Sequence, residues 1–374
     1  MRKTGTYETL GNVTYFIPNS LPPNNPPLRL DPQTMELHGQ AMLHLGKLNE
    51  MTQRIPNIKR FIKAYVNKEA LLSSEIEGVN TTLLNLYTQP LLATKPDKNT
   101  QLVLNYTEAL YKTLADIQEK NLPIVSRVIL AAHKELMQNG EGEKSAPGSY
   151  RKQAVRVGNL IPAPAKMVPE LMSDLEKYIN VEDDLPALIK AGLAHVQFET
   201  IHPFLDGNGR IGRMLIVLML VQSAVLSEPI IYPSYYFKKR NMRYYQTLDA
   251  VRTDGDFEGW IRYYLSVIKD SSIDAYKRAK DIEELEVQMT ATISESEKLK
   301  KGKGTRLKAI SILFNHPVID IQTLSSELDV SYNTANKIIT DFMELGFLMK
   351  QTEQKRGKLF QLKPYFEILE REYQ

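Results

Sequence analysis

The sequence predicts a mainly α-helical protein with one β-hairpin, followed by a small separate domain of three helices and a two-stranded wing. Three observations lead there. Apolar residues recur at intervals of three and four over most of the chain from Asp31 to Leu265. Short alternation around a Gly-Asn turn signal marks Val155 to Pro162. A highly charged stretch, 268–300, ends in the Lys- and Gly-rich run Lys298 to Gly304, after which short helical patterns follow one another closely.

The elements follow in order. Residues 1–32 include Leu21-Pro-Pro-Asn-Asn-Pro-Pro, which forbids a helix; an extended strap and a disordered arm are both open. Pro32 can open a helix running through Glu50 on Met35, Leu37, Met42, Leu43, Leu45 and Leu48. A second helix is expected from about Ile58 to Glu77, stopped by Gly78. Its end is electrostatically odd. Glu75 and Glu77 put negative charge at the negative end of the dipole, a cost of about 0.3–1 kcal/mol each when exposed, which a nearby cation reverses. Ser73 and Glu77 lie four apart, so one partner can meet both.

Residues 91–100 read as a loop, Leu102 to Gln118 and Pro123 to Met137 as helices, and Gly140 to Gly148 as a loop. The hairpin comes next, from Gly148 to Pro162. Pro169 to Asn180 and Leu185 to Phe198 are helices, the second leading into a Gly-rich loop, and the apolar run from Met214 is a helix buried inside the fold. Phe257, Trp260, Ile261, Tyr264 and Leu265 supply a helix that closes the core, and 268–300 is expected as a long exposed linker helix. Beyond it, Leu307 to Phe314, Ile321 to Leu328 and Ser331 to Leu345 are helices, the last two joined by a short turn at Asp329-Val330. Phe347 to Lys350 and Lys358 to Leu362 flank a polar turn with Lys355, Arg356 and Gly357. The expected divisions are 1–98, 99–268, 269–303 and 304–374.

Composition narrows the function classes. Charged residues at 24% and hydrophobic ones at 43% describe an ordinary globular protein, and a net charge of +3 implies neither nucleic acid nor membrane by itself. Zero cysteines exclude disulfides and thiolate metal sites and fit a reducing compartment. Met1 to Val13 has no apolar signal-peptide core, and the longest apolar run, Met214 to Leu226, is interrupted at Gln222 and Ser223. A cytoplasmic location without membrane contact is therefore expected.

The chemistry concentrates in His202-Pro-Phe-Leu-Asp-Gly-Asn-Gly-Arg-Ile-Gly-Arg213. Gly207, Asn208 and Gly209 tolerate the left-handed conformations that turn several N–H groups toward one anion. The helix that follows adds roughly half a positive charge at its N-terminus. Arg210 and Arg213 lie three apart on one face of its first turn, and there they oppose the dipole unless anions are near. Asp206 would repel those anions unless Mg²⁺ bridged them. His202 is placed to take a proton at neutral pH. A zinc site from His195, Glu199 and His202 is set aside because the His-Glu-x-x-His spacing is missing. So is a P-loop, since no Gly-Lys-Ser/Thr follows.

His202-x-Phe204-x-Asp206-Gly207-Asn208-Gly209-Arg210-x-x-Arg213 resembles the full signature of the Fic family, which moves a nucleotide's phosphoryl-linked group, most often AMP from ATP, onto a protein hydroxyl. The resemblance implies a Fic-type helical core, ATP as substrate and Mg²⁺ as cofactor. His202 would be the general base on a Ser, Thr or Tyr hydroxyl and Asp206 the metal ligand. Gly207, Asn208, Gly209 and Arg210 would cradle the α- and β-phosphates and Arg213 would meet the γ-phosphate. Ser73-x-x-x-Glu77-Gly78 resembles the inhibitory motif of autoinhibited Fic proteins, whose Glu pairs with the second arginine, here Arg213. Val157, Gly158, Asn159, Leu160 and Ile161 resemble the flap that holds a target strand. Tyr244 or Tyr245 would wall the adenine, though both also suit the core.

The C-terminal pattern resembles winged-helix domains. Lys337 is the one basic residue of the third helix, and Asp341 and Glu344 follow it, which gives a poor footprint for phosphates; DNA binding through 304–374 and protein contact, a homodimer included, both stay open. The function implied is protein adenylyltransfer, with a protein as substrate, the chain itself included. Removal of AMP, transfer of another nucleotide, and a DNA-binding regulator with a nucleotide sensor are the alternatives.

Overall fold

A computed structural model describes residues 2–54, 58–92, 94–138, 145–158, 160–351 and 358–372. Most of the loop Gly140 to Gly148, the turn residues Lys355, Arg356 and Gly357, and Asn159 lie outside them. In chain order the elements are β1 (Gly5–Leu10), β2 (Val13–Pro18), α1 (Pro32–Arg54), α2 (Ile58–Ile76), α3 (Leu83–Thr88), α4 (Lys98–Gln118), α5 (Ser126–Met137) and α6 (Val168–Asn180). Then come α7 (Ala187–Ile201), α8 (Asn208–Gln222), α9 (Ser234–Lys239), α10 (Asn241–Asp254), α11 (Phe257–Glu295), α12 (Lys303–Asn315), β3 (Val318–Asp320), α13 (Ile321–Leu328), α14 (Tyr332–Glu344), β4 (Leu348–Lys350), β5 (Leu359–Leu362) and α15 (Lys363–Glu370). The protein is mainly helical, as its spacing predicts. It divides into two compact units, 1–58 with 65–81 and 97–273, and 59–64 with 82–96 and 274–374.

The first unit is built on α7 and α8. Every residue from Leu188 to Ile201 is buried, as is every one from Ile211 to Val221, and helices apolar on all sides belong at the centre of a fold. Gly192 lets α11 approach: a Cβ there would stand 2.6 Å from the Tyr264 ring, and the Trp260 indole donates to the Gly192 carbonyl at 2.8 Å. Among the described residues no helix is long and apolar enough to cross a membrane.

The strap expected at 1–32 is in part a β-hairpin. β1 and β2 pair antiparallel from Gly5 with Pro18 to Leu10 with Val13, and the turn falls on Gly11, at φ 61°, and Asn12. The proline run begins only at Pro22; ahead of it, β-branched and aromatic residues alternate around Gly11-Asn12, which is itself a hairpin signal. The hairpin is fastened within the unit by Arg2, whose guanidinium donates to both Glu258 carboxylate oxygens at 2.8 Å and to the Gly255 carbonyl at 2.9 Å.

The second unit gathers α12, α13 and α14 with a three-stranded antiparallel sheet in the order β3, β5, β4. Ile310, Leu313, Phe314, Leu324, Ile338, Ile339, Phe342, Phe360 and Leu362 fill its core. The stretch expected as an exposed linker is part of one continuous helix, α11, with a buried face of Ala275, Ala279, Ile282, Met289 and Ile293. Small alanines at helical spacing among many charges carry that face. Even Arg278 is buried, bound to Asp274 at 3.0 Å one turn away.

Candidate active site

The loop between α7 and α8 is held in an unfavourable conformation by buried polar contacts. His202, which ends α7, takes φ 49° and ψ 63°, a left-handed geometry costing an L-residue about 1–2 kcal/mol. Arg151 holds it there. Its Nε donates to the His202 carbonyl at 2.8 Å and its Nη2 to the Ala163 carbonyl at 2.7 Å, while its backbone N–H donates to Pro203 at 2.9 Å. Arg252 adds a second cation at the same helix end, donating to the Glu199 carbonyl at 3.1 Å and to Thr200 Oγ1 at 3.2 Å. Further along, Phe204 stacks on His133 with centroids 3.7 Å apart, and His133 Nδ1 accepts from the Gly148 N–H, which leaves its Nε2 to donate to the Asp206 carbonyl at 3.1 Å.

Burial and the Arg252 charge push the His202 imidazole down to about 4, so it is neutral across the physiological range. Its Nδ1 is buried without a hydrogen-bond partner among the described residues. A neutral imidazole with an open nitrogen is what a general base requires. The free protein should therefore keep its kcat/KM down to about pH 5, because protons compete for His202 only as pH falls toward about 4 and not at the ordinary 6.5. Burial also pushes Glu199 up to about 7. Accordingly, any midpoint near neutrality in a pH–rate series on wild type should disappear in Glu199→Gln; a midpoint near 6.5 that survives in Glu199→Gln would contradict this assignment.

At the start of α8, Gly207 is the N-cap at φ 80°, and no side chain among the described residues caps the helix. The first N–H groups of α8 thus have no side-chain acceptor, the usual condition of an anion site. Asn208 serves the loop with its side chain, accepting from the Phe204 N–H at 2.8 Å and donating to the Phe204 carbonyl at 2.9 Å. Only its backbone is left for an anion, which narrows the role expected of it. Arg210 is buried with Nη2 at 3.4 Å from Asp206 Oδ1, while its Nε and Nη1 have no partner among the described residues. A buried guanidinium with two open N–H groups at an uncapped helix start calls for an anion that bonds them. Asp206 accepts from the Gly207 N–H at 2.6 Å and is otherwise exposed. One open carboxylate beside a phosphate site fits Mg²⁺, which binds through one or two carboxylates and the substrate's own oxygens.

Arg213, three residues on, is engaged through Nε and Nη2. Its Nε donates to Ser73 Oγ at 2.9 Å, and its Nη2 to the Ser73 carbonyl at 2.8 Å and to Glu77 Oε1 at 2.7 Å. Burial pushes the Glu77 carboxyl up, but Arg213, with Arg210 and His202, pulls it down by more in sum, leaving it below its ordinary value. The carboxylate lies against the first turn of α8: a Cβ on Gly209 would stand 2.2 Å from Glu77 Oε1. The negative charge at the end of α2 therefore meets the positive start of α8 and a buried arginine. Gly78, at φ 79°, follows as the turn out of α2.

Other expected site residues fall elsewhere. Tyr244 is buried, its hydroxyl 2.8 Å from His195 Nε2 and its ring against Phe237, so it cannot stack on a base. That leaves Tyr245, at 44% exposure, as the aromatic open to a ligand. His195 binds the Gly212 carbonyl at 2.8 Å through its other nitrogen and is a core residue. The expected hairpin at 148–162 is reduced to one antiparallel bridge between Val157 and Leu160 across Gly158. Arg151 draws the preceding segment into the fold, and the Ile161 carbonyl accepts from the Phe16 N–H of β2 at 2.8 Å, where Phe16 and Pro162 form a single parallel bridge. A cavity of ≈ 450 Å³ opens where β1–β2, this segment and α10 meet, lined by Tyr7, Thr14, Arg156, Ile161, Asp249 and Arg252.

Residues 123–220 match the Fic/DOC family and residues 35–115 match the Fic/DOC family N-terminal region. The chain carries a Fic/DOC domain. The loop and the first turn of α8 lie inside the matched Fic/DOC region, while Ser73, Glu77 and Gly78 lie inside the N-terminal one. The protein adenylyltransferase Fic of Drosophila erecta is 29% identical over 209 residues, covering 54% of this chain and 40% of that protein. That of Drosophila melanogaster is 28% identical over the same length. The chain thus spans less than half the length of these relatives. A Fic family protein from Desulfovibrio desulfuricans shares the fold with a TM-score of 0.55 at 20% identity, over 90% of this chain and 97% of that one. Fic-1 from C. elegans does so with a TM-score of 0.52 at 19% identity, over 67% of this chain and 75% of that one.

Proposed function

We propose that the Fic/DOC domain transfers AMP from ATP to a hydroxyl of a protein. The observation that carries this reading is Arg210, buried with two open N–H groups at the uncapped start of α8, one loop away from a neutral His202. The names of the Drosophila relatives support it. A Ser, Thr or Tyr hydroxyl of the target attacks the α-phosphorus of ATP, and His202 takes its proton. The bond from the α-phosphorus to the bridging oxygen breaks, and pyrophosphate leaves. Backbone N–H groups of Asn208 and Gly209 and the Arg210 guanidinium meet the charge that develops on the phosphoryl oxygens. Asp206 would hold Mg²⁺, which neutralises phosphate charge when bound. Arg213 orients the γ-phosphate, but only when Glu77 has released it, because one arginine cannot serve both anions at once.

In this reading the target lies along the segment from Val157 to Ile161, in the cavity walled by β1–β2. Tyr245 is the side chain offered to the adenine.

Arg210→Ala should lower AMP transfer by about two orders of magnitude, the usual cost of losing one preorganised donor to developing charge. Labelled ATP with Mg²⁺, followed on the protein itself and on lysate proteins, checks it. Unchanged labelling in a correctly folded variant would refute the phosphate role of Arg210. If the domain instead removes AMP, the wild type will strip label from AMP-modified protein, and Glu77 variants will lose that activity.

A further inference from the structure

One wall of the cavity between β1–β2, the segment Val157 to Ile161 and α10 is a strand with an open edge. Phe16 of β2 donates its N–H to the Ile161 carbonyl, so that group points away from β1. Backbone groups alternate along an antiparallel strand, and Thr14, two residues nearer the turn, therefore presents its N–H and carbonyl on the same edge. Among the described residues nothing pairs with Thr14 there. The hairpin is fixed behind this edge: Thr4 Oγ1 donates to the Arg252 carbonyl at 3.0 Å, and the Gln197 amide of α7 donates to the Asn19 carbonyl at 2.9 Å. An open strand edge on a fixed support is what an added strand pairs with.

The cavity also has a sign. Of the charged side chains that line it, Arg252 and Asp249 are paired with each other at 3.1 Å, while Arg156 is exposed and has no hydrogen-bond or ion-pair partner among the described residues. From Gly148 to Pro162 the chain carries Arg151, Lys152 and Arg156 and no acidic residue. Glu8 of β1 does not offset them, because alternation puts it on the opposite face of the hairpin from Tyr7 and Thr14, which line the cavity. Arg252 ties this wall to the chemistry through its bonds to Glu199 and Thr200 in the last turn of α7, next to His202.

We propose that Arg156 selects the target: the protein segment that pairs with the open β2 edge carries an acidic side chain beside the accepting hydroxyl. The inference rests on the AMP-transfer reading. Short extended peptides with a single threonine, flanked on both sides by Asp, Asn or Lys, are bound to the full chain and followed by anisotropy of a terminal dye. The same peptides are then offered to the Glu77→Gly protein with α-labelled ATP and Mg²⁺. The Asp peptide should bind roughly fivefold tighter than the Lys peptide, with Asn between, a spread on the scale of an exposed ion pair that shrinks as salt rises. Its KM should be lower in the same ratio at unchanged kcat. Arg156→Glu should reverse the order with unchanged thermal unfolding, whereas Lys166→Glu, the same charge change at an exposed site off the cavity, should keep it. Thr14→Pro, which removes one N–H from the open edge, should weaken all three peptides alike. Equal binding of the three peptides, an order that survives Arg156→Glu or is lost in Lys166→Glu, or unchanged binding in Thr14→Pro overturns the proposal. Ordered binding with no α-label on any protein or peptide would sink the AMP-transfer reading and leave the charge selection standing; label on protein with unordered peptides would do the reverse.

Discussion

In Glu77→Gly, AMP transfer should rise roughly ten- to fortyfold over wild type. A hydrogen bond between charged groups contributes about 1.5–3 kcal/mol. The lower half of that range applies, since the Glu77 side chain keeps 35% exposure while Arg213 has 1%. At 1.4 kcal/mol per factor of ten, the increase follows, provided the γ-phosphate must displace this contact before it can reach Arg213. The substitution also clears the space over Gly209, whose close approach to Glu77 marks the carboxylate as occupying part of the anion site. Arg213 itself stays placed by its two bonds to Ser73. Initial rates of label incorporation from ATP and Mg²⁺ measure the effect, and equal rates in the two proteins would sink the proposed competition.

The second large effect belongs to His202. In the Glu77→Gly background, His202→Ala should cut transfer by at least about a hundredfold, the lower bound for removing a positioned general base. Binding of ATP should survive, because the anion site is built from α8 and not from the imidazole. Stability should hardly fall: the side chain has no partner at Nδ1, and the left-handed turn is fixed through the backbone carbonyl by Arg151. Retained ATP affinity with lost transfer separates a catalytic role from a structural one. Loss of both would assign His202 to the architecture of the loop.

The chemistry of the loop is legible because its residues are contiguous. A nest, a helix start, two arginines, an acid and a base within twelve residues each have one economical reading, and together they select a phosphate site. Glu77 is legible as an anomaly, a negative charge at the wrong end of a helix that asks for a cation. What holds the loop is not legible. Arg151, Arg252 and His133 reach it from distant segments, and nothing local separates a buried arginine from a surface one. Tyr244 and Tyr245 are adjacent and chemically equal, and only packing decides which is core. The β1–β2 hairpin hides behind the prolines that follow it, and the buried face of α11 hides because alanines carry part of it.

The most direct test of AMP transfer compares two labels. Glu77→Gly protein is incubated with Mg²⁺ and ATP labelled either at the α- or at the γ-phosphate, and label is followed on the protein and on lysate proteins. The account predicts α-label on protein hydroxyls, released pyrophosphate carrying the γ-label, and neither in the His202→Ala double variant. Covalent γ-label would mean that the protein hydroxyl attacks the γ-phosphorus and ADP leaves, and absence of α-label would contradict the proposed function outright.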